Sequence, residues 1–365
     1  MSEPAPQDIS GLELSRRFYH EAVQPILKRS FPRLPHSAAL IGYGSDVIGC
    51  DDARSRDHMW GPRMVLFLPE DGFEPARAAV DQALRRGLPS SFCGYPTHFG
   101  EPDKEGVRHL AEAEGGEIDH LVELWTLPGY FTKEIGWDTR TPPSTADWLT
   151  FSEHKLLTLT TGGIWHDDLG LAAIRAQLAY YPDPIWRYIL ASQWMKISQE
   201  EPFVGRTAEV GDELGSRILA ARLVEAMVVL AFLLEKTYAP YSKWLGTRFR
   251  SLNLAPALLP RLHGALGAAD FPTREEHLSA AYILCAQRFN QLGIIPPVPE
   301  EVSYFYDRPF KVIHAGEIAE QIMQTIPNIG LPSLPSLVGS VNQLSASTDV
   351  VSYVEVCKRL KHLYQ

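Results

Sequence analysis

The residue types that could do chemistry gather between Gly42 and Arg63. Gly42-Tyr43-Gly44-Ser45 follows the apolar run Ala38-Ala39-Leu40-Ile41, and Asp46, Asp51, Asp52, Asp57, His58 and Arg63 come next along the chain. A glycine-serine turn after a strand lets backbone N–H groups and a hydroxyl approach phosphate oxygens with no side chain in the way. Carboxylates a short distance on, ahead of a second strand, are the oxygen ligands that hold Mg2+ against those phosphates. Arg63 adds a guanidinium suited to a bidentate phosphate contact. The spacing excludes three other motifs. Gly49 falls too late for G-x-G-x-x-G, no Gly-Lys-Ser/Thr follows for a P-loop, and Tyr43 occupies a glycine position of G-x-S-x-G.

Such residues need elements to hold them in register. Ser10 is placed to cap a helix over 12–31, in which Leu14, Phe18, Ala22 and Ile26 recur at a spacing of four and which Pro32 and Pro35 end. Residues 38–41 read as a buried strand, 64–68 as a second and 118–124, carrying Glu123, as a third, with a helix over 74–86. This α/β alternation fills residues 1–140, and Thr141-Pro142-Pro143-Ser144 marks the expected boundary. Beyond it the apolar period changes to that of helices, expected over 169–180, 184–199, 209–236, 255–266 and 273–292, which gives a helical domain over 141–330. Ile295-Pro296-Pro297-Val298-Pro299 reads as a rigid connector. Residues 331–365 form a Ser/Pro-rich loop and a terminal helix.

The composition narrows the functional classes. The chain has 365 residues, 45% hydrophobic and 21% charged, with 27 glycines and 28 prolines: a folded protein of about two domains. A net charge of −10 has the wrong sign for a protein that binds duplex nucleic acid. Cys50, Cys93, Cys285 and Cys357 lie far apart with no C-x-x-C pair, which argues against both a disulfide framework and a cysteine zinc site, and for the reducing cytoplasm. Met1-Ser2-Glu3-Pro4 lacks the basic-then-apolar pattern of a secretory signal. The most apolar window, 218–234, carries Arg222 and Glu225 and falls short of the ~20 residues needed to span a bilayer. No membrane segment is expected.

The run Gly44-Ser45-Asp46 with Ser55-Arg56-Asp57-His58-Met59-Trp60-Gly61-Pro62-Arg63 resembles the uncharacterised family carrying domain of unknown function number four thousand and thirty-seven. Residues 11–19, 238–245 and 307–313 agree, so the resemblance runs from about residue 11 to 330. That family is similar to the nucleotidyltransferase superfamily, including the aminoglycoside nucleotidyltransferases. The resemblance implies an α+β/α protein: a polymerase-beta-type mixed sheet with helices, then a helical domain that helps hold the acceptor. It also implies Mg2+ or Mn2+, a nucleoside triphosphate, a small-molecule acceptor hydroxyl and a place in small-molecule biosynthesis. Matched residue by residue, Gly44 and Ser45 fall on the phosphate-binding turn, with Asp46 and Arg63 as further cofactor-binding candidates beside it. Asp57, 12 positions after Ser45, falls on the first metal carboxylate, with His58 and Asp52 as further ligands. Glu123 falls on the third carboxylate, as ligand or base. Met59 stands where the family pattern has a second carboxylate, so the alternatives are a pseudoenzyme that binds a nucleotide or partner without transfer, or an accessory enzyme of a small-molecule biosynthetic pathway.

The same residues also have structural readings. Asp51, Asp52 and Asp57 suit turns and caps, His58 suits a core or supporting role, and Arg63 suits a pair with a nearby aspartate. His166-Asp167-Asp168, after Gly162-Gly163 in an expected loop, has the look of a metal-binding doublet but also of a helix cap. Tyr238–Trp244 with Lys243 reads as packing at a helix end, or as the lining of an acceptor cleft. Asp307-Arg308 reads as an ion pair, and Lys358–His362 as a solvated helix face.

Overall fold

In a computed structural model, the structure describes residues 9–52, 54–56, 59–104, 106–113, 115–330 and 337–364. Ser10 accepts a hydrogen bond from the Glu13 N–H and starts α1 (Gly11–Phe18). A five-residue π turn, Tyr19–Val23, joins it to α2 (Gln24–Ser30). An apolar spacing of four overshoots the ~3.6-residue turn, and the wider π turn absorbs the drift, so Leu14, Phe18, Ala22 and Ile26 all stay buried.

Four strands make a mixed sheet: β1 (Ser37–Leu40), β2 (Arg63–Phe67), β7 (Leu121–Trp125) and β8 (Gly163–Asp167), in the order β7-β2-β1-β8. β1 is antiparallel to β2 and to β8, whereas β2 and β7 run parallel, with Val65 opposite Glu123. Between β2 and β7 lie α3 (Phe73–Gly87) and two short ladders, β3 (Ser91–Phe92) with β4 (Tyr95–Pro96) and β5 (His98–Phe99) with β6 (Leu110–Ala111). One face of the sheet, through Ala38, Met64, Leu66 and Val122, packs with Phe18, Val23, Ile26 and Leu27 and with Val80 and Leu84 of α3. Phe67 meets Tyr130 of α4 (Leu127–Ile135) edge-on at 5.3 Å.

Two compact units result, 1–142 with 155–179 and 143–154 with 180–365. The segment 155–179 departs from the expected division, because β8 supplies a strand of the first unit. Its sequence, Gly163-Ile164-Trp165-His166-Asp167, was expected to be loop; lacking a long apolar run, it is a half-exposed edge strand, recruited by the open side of β1. α6 (Glu153–Thr160), from Lys155 on, and α7 (Leu171–Gln177) also belong to this unit.

The second unit is mainly helical, with one short ladder, Ser303–Tyr304 against Lys311–Val312. After α5 (Thr145–Thr150), with its Ser144–Asp147 capping box, come α8 (Asp183–Glu209), α9 (Glu213–Leu234), α10 (Ser242–Phe249), α11 (Ala255–Gly267), α12 (Phe271–Asn290) and α13 (Ala315–Met323). α8 packs on α9 and α13, and α11 on α12. Glu201 of α8 accepts the Ile313 and Ala315 N–H groups at 2.8 and 3.0 Å. Short helices among the described C-terminal residues are Val341–Leu344, Thr348–Ser352 and Val354–Arg359, the last continuing as a 3-10 turn over Leu360–Tyr364. No helix among the described residues is long and apolar enough to cross a membrane.

Candidate functional site

β1 ends at Leu40 and the chain turns through Gly42 and Gly44, whose φ values are +99° and +107°. Both positions need glycine for a second reason. A Cβ on Gly42 would overlap the Tyr130 hydroxyl, which donates to the Ile41 carbonyl at 2.9 Å. A Cβ on Gly44 would overlap Arg63 Nη2 and Asp46 Oδ1. The turn is therefore shaped around an ion pair.

Asp46 Oδ1 and Arg63 Nη2 lie 2.7 Å apart, with both side chains buried. Arg63 also donates to the Tyr43 carbonyl at 2.9 Å, and its guanidinium sits 4.5 Å from the centre of the Tyr43 ring. Tyr43 in turn donates its hydroxyl to Glu123 Oε1 at 2.8 Å, so a residue 80 positions downstream is tied to the turn. Burial pushes the Tyr43 phenol far above its usual range, which keeps it a donor. Trp125 Nε1 donates to Glu123 Oε2 at 3.1 Å, and Lys133 Nζ lies 3.4 Å from the same oxygen and 4.9 Å from the centre of the Trp125 ring. Burial alone would lower the Lys133 pKa, but Glu123 and Glu134 raise it above its usual value, so it stays cationic.

Of the residues singled out in the sequence, the structure joins Gly44, Asp46, Arg63 and, through Tyr43, Glu123. Ser45 Oγ donates to the Ser55 carbonyl at 3.2 Å. Asp52 turns outward: its Oδ1 accepts from the Arg54 and Ser55 N–H groups at 2.9 and 2.8 Å, and the Ser55 bonds hold its carboxyl below the usual range. Asp51 accepts the Gly11 N–H at 2.8 Å at the start of α1. Asp57 and His58 lie outside the described residues. Tyr43 and Lys133 carry much of this network yet belong to no motif. The only sequence signal for Tyr43 is its place between two turn glycines.

Mg2+ needs oxygen ligands with free lone pairs. Among the described residues most carboxylate oxygens of the turn are already engaged: Asp46 Oδ1 by Arg63 and the Val47 N–H, Glu123 by Tyr43, Trp125 and Lys133. Asp46 Oδ2 is buried without a partner, as is Trp60 Nε1. A Cβ on Gly11 would fall 2.6 Å from the first and 2.8 Å from the second, and the N–H of the same glycine donates to Asp51 Oδ2 at 2.8 Å. An unpartnered oxygen of Asp46 alone makes too few ligands for Mg2+, and Asp57 and His58, expected to complete the set, lie outside the described residues.

The second unit holds a cavity of about 130 Å3 whose lining includes Glu153, His154, Glu225, Tyr241 and Asn342. Burial raises the Glu153 carboxyl to about 7 against the hydrogen bond from the Tyr181 hydroxyl at 3.2 Å. Tyr238 is buried among Tyr180 and Tyr181, whereas Tyr241 reaches this cavity and Lys243 lies over the Trp244 ring.

Residues 148–245 match the family described as "Domain of unknown function (DUF4037)", and the family resemblance is met over that segment. Among curated proteins none matches. A similar solved structure is that of a nucleotidyltransferase-like protein from Exiguobacterium sibiricum 255-15, at 9% identity, covering 86% of this chain and 89% of that one with a TM-score of 0.32. A score that low carries no argument about chemistry, and the reading of the site rests on this chain's own residues.

Proposed function

We propose that the first unit is a nucleotidyltransferase-like module that takes a nucleoside triphosphate at the Gly44–Ser45 turn and passes a nucleotidyl group to a small-molecule hydroxyl. The observation that carries this reading is the Tyr43–Glu123 hydrogen bond of 2.8 Å, which ties a carboxylate on a neighbouring strand to a glycine-serine turn. On this reading the acceptor oxygen attacks the α-phosphorus, the bond to pyrophosphate breaks, and the hydroxyl proton passes to Glu123. Lys133 offsets triphosphate charge. No step is assigned to Mg2+ or Mn2+, because the described carboxylates of the turn leave too few oxygens without a partner to hold one.

A second reading, binding without transfer, is favoured by one observation: both Glu123 oxygens already accept hydrogen bonds, Oε2 from Trp125 and close to Lys133. One pair of measurements separates the two. Melting temperature is followed against a panel of triphosphates with and without Mg2+ or Mn2+, and pyrophosphate release is followed with hydroxyl acceptors. Stabilisation with release that Glu123→Gln abolishes supports transfer. Stabilisation without release across the acceptor panel supports binding alone. No shift with any triphosphate sinks both.

A further inference from the structure

A second cluster stands at the β1–β8 edge of the sheet. His36 precedes β1, His166 lies in β8 opposite Ala38, and Asp168 follows β8. One ligand atom from each of the three lies within 4.8 Å of the others. We propose that His36, His166 and Asp168 form a binding site for a divalent transition-metal ion of the zinc type.

The donor set chooses the ion. Two imidazoles and one carboxylate suit Zn2+ and its neighbours, whereas Mg2+ and Ca2+ prefer oxygen throughout. Three protein ligands leave a coordination position for water. The supporting groups are those such a site needs. His36 Nδ1 lies 3.1 Å from the Leu34 carbonyl, a contact that places the proton on Nδ1 and the lone pair on Nε2. That lone pair meets the Tyr19 hydroxyl at 2.9 Å, so an ion bound there displaces the phenol oxygen from Nε2.

His166 Nε2 and Asp168 Oδ2 are 2.8 Å apart. Two bonds of ~2.0–2.2 Å at a tetrahedral angle place ligand atoms roughly 3.3 Å apart, so the pair opens by about half an ångström to admit an ion. Asp168 is held to His36 twice through the backbone: its N–H donates to the His36 carbonyl at 3.0 Å, and its Oδ2 accepts the His36 N–H at 3.3 Å. The residue between the ligands, Asp167, is spent otherwise, on the first turn of α7 and on Ser37. The ligands therefore sit on fixed elements. His36 is buried beneath while the His166 and Asp168 side chains are 32% and 44% exposed, which leaves a route from solvent.

The test uses the tag-free full chain, freed of metal, with Zn2+ titrated against a chromophoric chelator and Co2+ as a spectroscopic probe. One equivalent of Zn2+ is expected, with Co2+ giving the visible bands of a low-coordinate nitrogen–oxygen site. His166→Gln and Asp168→Asn should each weaken binding by at least the ~10–100-fold that loss of a supporting partner alone costs. Circular dichroism checks that each variant is folded; because both positions are partly exposed, one of the two suffices. The control is His109→Gln, which removes a separate exposed histidine–aspartate pair, with Asp103 at 3.2 Å, and should bind like the parent. Absence of stoichiometric binding, or equal loss in His166→Gln and His109→Gln, would overturn the assignment.

Discussion

Arg63 and Asp46 meet at 2.7 Å with their side chains only 3% and 1% exposed, so the cation nearest the glycine-serine turn is neutralised inside the protein. The arginine shapes the turn from beneath, through the Tyr43 carbonyl and the Tyr43 ring, instead of reaching out from it.

This pair is expected to matter more when broken than when replaced. Asp46→Asn leaves a buried guanidinium without its counter-charge and should cost about 3–5 kcal/mol, read as a lower urea midpoint at unchanged slope. Replacing both partners with apolar residues should recover most of that loss. A single variant as stable as the parent would mean that water reaches Arg63.

Asp167 is expected to behave as a cap. Its carboxylate accepts the Gly170, Leu171 and Ala172 N–H groups at 2.9, 2.8 and 2.9 Å and the Ser37 hydroxyl at 2.6 Å. Burial would raise its pKa, but Ser37 and the three N–H groups hold it below the usual value. Asp167→Ala should therefore cost about 1–2 kcal/mol in chemical unfolding, with Asp167→Asn closer to the parent. Equal stability of Asp167→Ala and the parent would show that these bonds are not made in solution.

Stability should fall as the pH rises from about 4.5 to 7. Burial raises the Glu153 and Glu201 carboxyls from 4.5 to about 7, so across that window the folded chain holds protons that the unfolded chain releases. The contribution is whole below 4.5 and is lost as the pH passes 7. At ~1.4 kcal/mol per unit, each carboxyl accounts for about 3 kcal/mol. Glu153→Gln, which keeps an acceptor for Tyr181, should raise stability at pH 8, leave it unchanged near pH 4.5 and roughly halve the slope. A parent whose stability climbs between pH 5 and 7 would refute this assignment.

Much of the first unit was legible because its signals are local. The 38–41 and 64–68 runs are buried strands wherever they pair, and the Ser10 cap and Pro32 bracket a helix regardless of the rest. β8 was not legible. Gly163–Asp167 has no apolar run, and its strand character comes only from the vacant edge of β1. The turn was legible through its glycines, and the link to Glu123 only by position, since Tyr43 supplies the contact across 80 residues. The His36 cluster was legible only in part: His166 and Asp168 stand out together in sequence as a metal-binding doublet, but His36 joins them through a strand pairing that no spacing announces.

That pairing has a consequence for synthesis. Ser37 and Asp167, joined side chain to side chain, are 130 residues apart, so a nascent chain displays the naked flank of β1 until translation has passed most of the way to α7. Fragments cut at the proline-rich junction near 142 keep that flank bare, with its row of unpaired amides free to template contacts between molecules.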